Sequence, residues 1–211
     1  MLVKICGITR FEDARHAVEH GATALGFIFW PRSPRYIEPP RAAGIIAGLP
    51  LSVATVGVFV NETVEGVRSV VETTGVGVVQ LHGDEPPAFG TAVGLPILRS
   101  VTLSDAKAVM ASWPPETRLL LDAADRERRG GTGQLVDWQA AAGIARQHRV
   151  ILAGGLTPEN VAEAIERVEP YGVDVSSGVE AAPGIKDATM VARFLENACG
   201  AFERSRGRRA V

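Results

Sequence analysis

Short apolar runs recur along the chain at residues 2–6, 24–29, 54–60, 76–81, 96–101, 119–122, 150–153 and 173–176. They are rich in Val, Ile, Leu and Phe and only four to seven residues long. Such runs read as strands buried on both faces. The segments between most of them carry helix signals. Thr9-Arg10-Phe11-Glu12 has the form of a capping box, with Gly21 as the stop. Asn61 is placed to cap a helix over residues 62–74, and Thr157-Pro158 sets a cap before a first-turn proline. Asp187 is placed to cap a helix over 188–202, where Val191, Phe194, Leu195, Ala198 and Phe202 repeat at helical spacing. The signals after the second, fourth and fifth strands are broken by Pro or Gly.

Eight alternating strand and helix units predict an α/β fold, and that number favours a single (β/α)8 TIM barrel over an open sheet. A chain of 211 residues has room for little else. The barrel is expected over residues 1–203, followed by a basic tail at 204–211 that lacks apolar anchors and is expected to fray.

Within the runs, side chains alternate faces. Lys4 and Cys6, Gln80 and His82, Leu120 and Asp122, and Asp174 and Ser176 each share a face, with apolar residues opposite. The apolar face is expected to meet the helices, and the other to point into the barrel. The polar residues gather toward the C-terminal ends of the strands, where barrel enzymes carry their active sites. Lys4, Gln80 and Asp174 could also be there only to satisfy one another.

Cys6 ends the first strand ahead of a helix start, where amides and the helix dipole can lower a thiol pKa. A small core residue is the plain alternative. Asp122 ends an apolar strand and could serve as an acid, a helix cap or an ion-pair partner. Glycines follow the seventh and eighth strands, at Gly154-Gly155 and after Ser176-Ser177. Those loops are where barrels of this type often hold phosphate. Gly130-Gly131-Thr132-Gly133 reads as a cover loop rather than a nucleotide loop.

Composition narrows the field. With 22 Lys+Arg against 24 Asp+Glu, the chain lacks the basic excess of a nucleic-acid binder. Two cysteines, Cys6 and Cys199, cannot build a disulfide framework. The longest apolar run, residues 25–30, is far too short for a membrane span, and no signal peptide is evident. A cytoplasmic protein is expected. His16, His20, His82 and His148 form no metal-binding pattern.

Several motifs then converge. Lys4-Ile5-Cys6-Gly7-Ile8-Thr9, Gly26-Phe27-Ile28-Phe29 with Ser33-Pro34-Arg35-Tyr36, and Gln80-Leu81-His82-Gly83-Asp84-Glu85 come first. Gly130-Gly131-Thr132-Gly133 with Asp137-Trp138, Ala153-Gly154-Gly155-Leu156 with Asn160, and Asp174-Val175-Ser176-Ser177-Gly178-Val179-Glu180 follow. In this order the set resembles the phosphoribosylanthranilate isomerase family across nearly the whole chain.

The resemblance implies one barrel of the tryptophan pathway that performs an Amadori rearrangement of a small phosphorylated substrate, without cofactor or metal. It implies Cys6 as general base and Asp122 as general acid. Arg35 is implied as the partner of the anthranilate carboxylate, with His82 and Asp174 in the substrate site. Gly154, Gly155, Ser176 and Ser177 are implied as the phosphate site. Monomers and homodimers both occur with this fold. A related sugar-phosphate isomerase of histidine synthesis would have paired aspartates at the ends of its first and fifth strands, and Cys6 argues against that. A non-catalytic phosphate-binding barrel would not need both Cys6 and Asp122.

Overall fold

The computed structural model describes residues 1–122 and 136–209. Eight parallel strands close into a barrel in chain order. They are β1 (Leu2–Cys6), β2 (Ala24–Ile28), β3 (Ala54–Phe59), β4 (Val78–Leu81), β5 (Ile97–Val101), β6 (Arg118–Leu121), β7 (Val150–Leu152) and β8 (Gly172–Val175). Each is followed by a helix. In order these are α1 (Phe11–Glu19), α2 (Pro39–Ile46), α3 (Val64–Thr74), α4 (Pro87–Val93), α5 (Ala106–Ser112), α6 (Trp138–Ala145), α7 (Val161–Val168) and α8 (Ala188–Arg209). All eight predicted strands are present, as are the three helices with interrupted signals. Between β8 and α8 lie a 3-10 turn, Ser177–Val179, and a small hairpin of β9 (Glu180–Ala182) and β10 (Ile185–Lys186). Among the described residues no helix is long and apolar enough to cross a membrane. The Gly130–Gly133 cover loop and its charged lead fall outside the described residues.

The alternation of side chains divides the core in two. Val3, Ile5, Leu25, Phe27, Val79, Leu81, Leu119, Leu121, Val173 and Val175 face outward against helix residues such as Ala14, Val67, Ile165, Phe194 and Leu195. Ala24, Val56, Leu98, Leu120, Ile151 and Ala153 fill the barrel interior. Burying each large aliphatic side chain contributes about 1.5–3 kcal/mol, so this double layer holds the strands in place. Lys4, Gln80 and Asp174 belong to the inner face, as the alternation predicts, and all three are buried.

Helix starts depart from the local signals. Thr9 does not cap α1: its hydroxyl donates to Gly184 O in the hairpin, and Arg10 takes the cap position. Thr63, not Asn61, caps α3 by accepting from Gly66 N at 3.0 Å. Asn61 adopts a positive φ and bridges to the next loop, its Oδ1 accepting from Asp84 N. α7 begins at Val161, a turn later than Thr157-Pro158 suggests. For Thr9 and Asn61 a tertiary partner outcompetes the local cap, whereas Thr157 caps only a turn ahead of α7, its hydroxyl accepting from Glu159 N at 3.2 Å. The Asp187 cap holds, accepting from Met190 N at 2.9 Å. The last helix continues to Arg209, with Arg204 reaching Glu166 at 3.2 Å, so residues 204–209 are helical where a frayed end is expected from composition.

Candidate active site

The C-terminal mouth of the barrel gathers the polar ends of the strands. Asp122 lines one cleft together with Gly154, Gly155, Asp174, Ser176 and Ser177. Six of the nine residues expected in the site therefore share a wall. Gly154 and Gly155 both have positive φ, which only glycine adopts freely. Asn160 braces their loop, donating to Gly155 O at 2.9 Å and accepting from Thr157 N at 2.8 Å. A side chain at Gly178 would collide with the carbonyl oxygen of Leu156, so the loops after β7 and β8 can meet only without one.

Cys6 is buried at the end of β1, in register with Gly26 of β2. It does not sit on open amides. Gly7 N and Ile8 N both donate to Gly26 O, at 3.0 and 2.9 Å. Burial pushes the thiol above the ordinary cysteine value, and the charge of neighbouring Lys4 works against that rise. This corrects the expected lowering by a helix start: α1 begins at Phe11, and the nearest amides are already engaged.

Lys4 is fully buried and donates to Asp174 Oδ1 at 2.9 Å. Burial opposes its charge, but Asp174 and Cys6 together hold the ammonium above the ordinary lysine value. Gln80 does not join this pair. Its amide nitrogen donates to Ser100 Oγ at 3.1 Å and lies 3.3 Å from His82 Nδ1. The other ring nitrogen, Nε2, faces Asp122 Oδ2 at 3.7 Å. His82 therefore stands next to Asp122. The turn after it is fixed by buried Glu85, whose carboxylate accepts from Gly83 N and Arg99 Nη1, both at 3.0 Å.

Arg35 reaches the mouth from the loop after β2. Its Nε and Nη2 hold Glu180 side-on, at 2.9 and 2.8 Å. Lys186 Nζ also donates to Glu180, at 2.8 Å, and to Ser176 O, at 3.1 Å. Burial opposes the Glu180 charge, but Arg35 and Lys186 outweigh it and hold the carboxyl below the ordinary glutamate value. Sequence reasoning assigns no role to Glu180, Lys186 or Gly26. The Pro183-Gly184 turn between Glu180 and Lys186 is a hairpin signal that could have paired the first two.

The family model for N-(5'phosphoribosyl)anthranilate (PRA) isomerase matches residues 3–197. The isomerase of Trichlorobacter lovleyi is 50% identical over 202 residues, covering 93% of this chain and 97% of that one. That of Geobacter metallireducens is 49% identical over 201 residues, covering 93% and 98%. Among solved structures, the Thermotoga maritima isomerase superposes with a TM-score of 0.88 at 41% identity, covering 95% of this chain and 99% of the other. Another, at 40% identity and a TM-score of 0.84 with the same coverage, is a complex with reduced 1-(o-carboxyphenylamino)-1-deoxyribulose 5-phosphate. A closed barrel, its polar mouth and these matches over nearly the full length agree: the chain belongs to the N-(5'-phosphoribosyl)anthranilate isomerase family, isomerases of tryptophan biosynthesis.

Proposed function

We propose that the chain converts N-(5-phosphoribosyl)anthranilate to 1-(2-carboxyphenylamino)-1-deoxyribulose 5-phosphate with Asp122 as acid and Cys6 as base. One observation carries these roles. Asp122 and the glycine loops line a single cleft, and Asp174 on its wall connects through Lys4 to Cys6. Phosphate held by the loops around Gly154, Gly155, Ser176 and Ser177 positions the sugar between the two groups. Asp122 gives a proton to the ring oxygen as the bond from that oxygen to C1 breaks, and the anthranilate nitrogen forms an iminium with C1. Cys6 as thiolate takes the proton from C2. The electron pair moves to neutralise the iminium, leaving an enolamine. Tautomerisation moves a proton to C1 and leaves the ketone at C2, so no atom is gained or lost.

Arg35 has five N–H donors. Glu180 takes the side-on pair, which leaves the end-on pair of Nη1 and Nη2 to meet the anthranilate carboxylate. Glu180 thereby aims Arg35. His82 Nε2 beside Asp122 is suited to touch the sugar near the ring oxygen or to direct the acid.

The test is loss of substrate fluorescence on conversion. Cys6→Ser and Asp122→Asn are each expected to keep the fold and cut kcat by orders of magnitude. Turnover near wild type in either would remove that residue from its role.

We also infer that the chain pairs with a second copy through the N-terminal mouth. A cavity of about 530 Å3 opens there, lined by Val56, Val78, Leu98, Trp113 and Ile151. Leu51, three residues before β3 and so at that same end, is fully exposed. One Thermotoga maritima structure is described as monomers generated from a dimeric isomerase. Sedimentation should find a dimer that Leu51→Glu dissociates. A wild-type monomer at micromolar concentration would rule this out.

A further inference from the structure

A lysine with no exposed surface is an expensive residue for a barrel interior otherwise filled by Ala, Val, Leu and Ile. A buried ion pair is often no more stabilising than apolar residues of the same volume. Stability alone therefore gives little reason for Lys4 and Asp174. Their placement gives another. Lys4 lies two residues before Cys6 on the same face of β1, and Asp174 is its register partner on β8. The ammonium is anchored at 2.9 Å by Asp174 Oδ1, and it lies beside the Cys6 sulfur over Gly26. The sulfur, Cε and Nζ all crowd the point where a β-carbon on Gly26 would stand, at 2.7, 3.0 and 3.1 Å. Glycine at 26 thus leaves the space in which the sulfur and the ammonium lie side by side.

We propose that Lys4 is a positioning residue for the isomerisation: its ammonium, clamped by Asp174, is the counter-charge that lets buried Cys6 carry a negative charge while it takes the proton from C2. The inference rests on Cys6 being the base. The other charges facing the thiol are Asp174, which opposes the anion, and Lys186 from β10, which favours it. Lys186 is itself tied to Glu180, which Arg35 shares. Of these groups Lys4 supplies the larger favourable charge, and its ammonium lies beside the sulfur over Gly26.

The geometry sets two substitutions against each other. Lys4→Met removes the favourable charge. Asp174→Asn removes an unfavourable one while keeping an oxygen for Lys4 to bond. Thiolate formation is read from its ultraviolet absorbance against pH, in a Cys199→Ser background and as the difference from the matching Cys6→Ser protein. The Cys6 titration should move up by at least about one pH unit in Lys4→Met and down in Asp174→Asn. In Lys4→Met, kcat should fall at least about tenfold at neutral pH with KM within about threefold, since phosphate and carboxylate contacts lie elsewhere.

Lys4→Met strands a buried carboxylate and could weaken the fold. The double variant Lys4→Met, Asp174→Asn restores neutrality, and its titration should stay above wild type. A titration unchanged in both Lys4 variants, or shifted in the same direction by Lys4→Met and Asp174→Asn, would overturn the proposal. Normal turnover by Cys6→Ser would instead overturn the base assignment, so the two failures are told apart.

Discussion

Gly26→Ala should disable the enzyme while leaving substrate binding nearly intact. The added methyl would lie 2.7 Å from Cys6 Sγ and 3.0 Å from Lys4 Cε. Comfortable non-bonded separations are about 3.5–4.0 Å, so the sulfur must retreat by roughly 1 Å. The backbone cannot retreat in its place. Gly26 is registered with Cys6, and its carbonyl accepts from both Gly7 N and Ile8 N. Overpacking of this kind costs about 1–3 kcal/mol. For a domain of this size each kcal/mol lowers Tm by about 2–4 °C, which gives a fall of roughly 2–12 °C. The catalytic cost should be larger, because a displacement near 1 Å at a reacting group can cost about 100-fold.

The assay is steady-state loss of substrate fluorescence beside a thermal melt. Gly44→Ala is the control: Gly44 lies within α2 with nothing within 4 Å of an added methyl, so helix propensity should make that change neutral or stabilising. If Gly26→Ala turned over within about twofold of wild type at an unchanged Tm, the tight sulfur–lysine arrangement argued from these distances would be wrong.

Three further outcomes follow from the same contacts. Gly178→Ala should raise KM with a smaller change in kcat, because a β-carbon there meets the backbone of Leu156 and must part the two glycine loops; an unchanged KM would count against their holding phosphate. Arg35→Ala should raise KM by about 10- to 100-fold, the worth of a charge-assisted hydrogen bond, and an unaffected KM would remove Arg35 from the carboxylate. Glu180 is held below the ordinary glutamate value, so it contributes stability above that value that is lost as pH falls through its lowered one. The Tm difference between wild type and Glu180→Gln should accordingly shrink on acidification, and a difference that grows would reverse the sign.

The barrel is legible in the sequence because strands buried on both faces need nearly continuous apolar runs, and those runs also declare which residues face inward. Lys4, Gln80, Asp122 and Asp174 stand out for that reason alone. The helix caps are less legible. Thr9 and Asn61 each have a tertiary alternative, and a cap is worth only about 0.5–2 kcal/mol. The electrostatics of Cys6 are less legible still. Its position suggests a lowered pKa, but the adjacent amides are taken by Gly26 O, and burial decides the direction.

What links the two kinds of information is the closure of β1 against β8. The register pairs Lys4 with Asp174, residues 170 positions apart. Sliding that pairing by one residue would set Asp174 against Val3 or Ile5, whose side chains face the helices. Either arrangement would leave Lys4 without its carboxylate inside the barrel, and an uncompensated buried charge costs about 3–5 kcal/mol. That exceeds what any single strand contact could return. The ion pair that serves the chemistry therefore also selects the one register in which the barrel closes. The same residues fix the fold and the charge beside Cys6, so a variant that neutralises both partners should be freer in its closure as well as slower in its turnover.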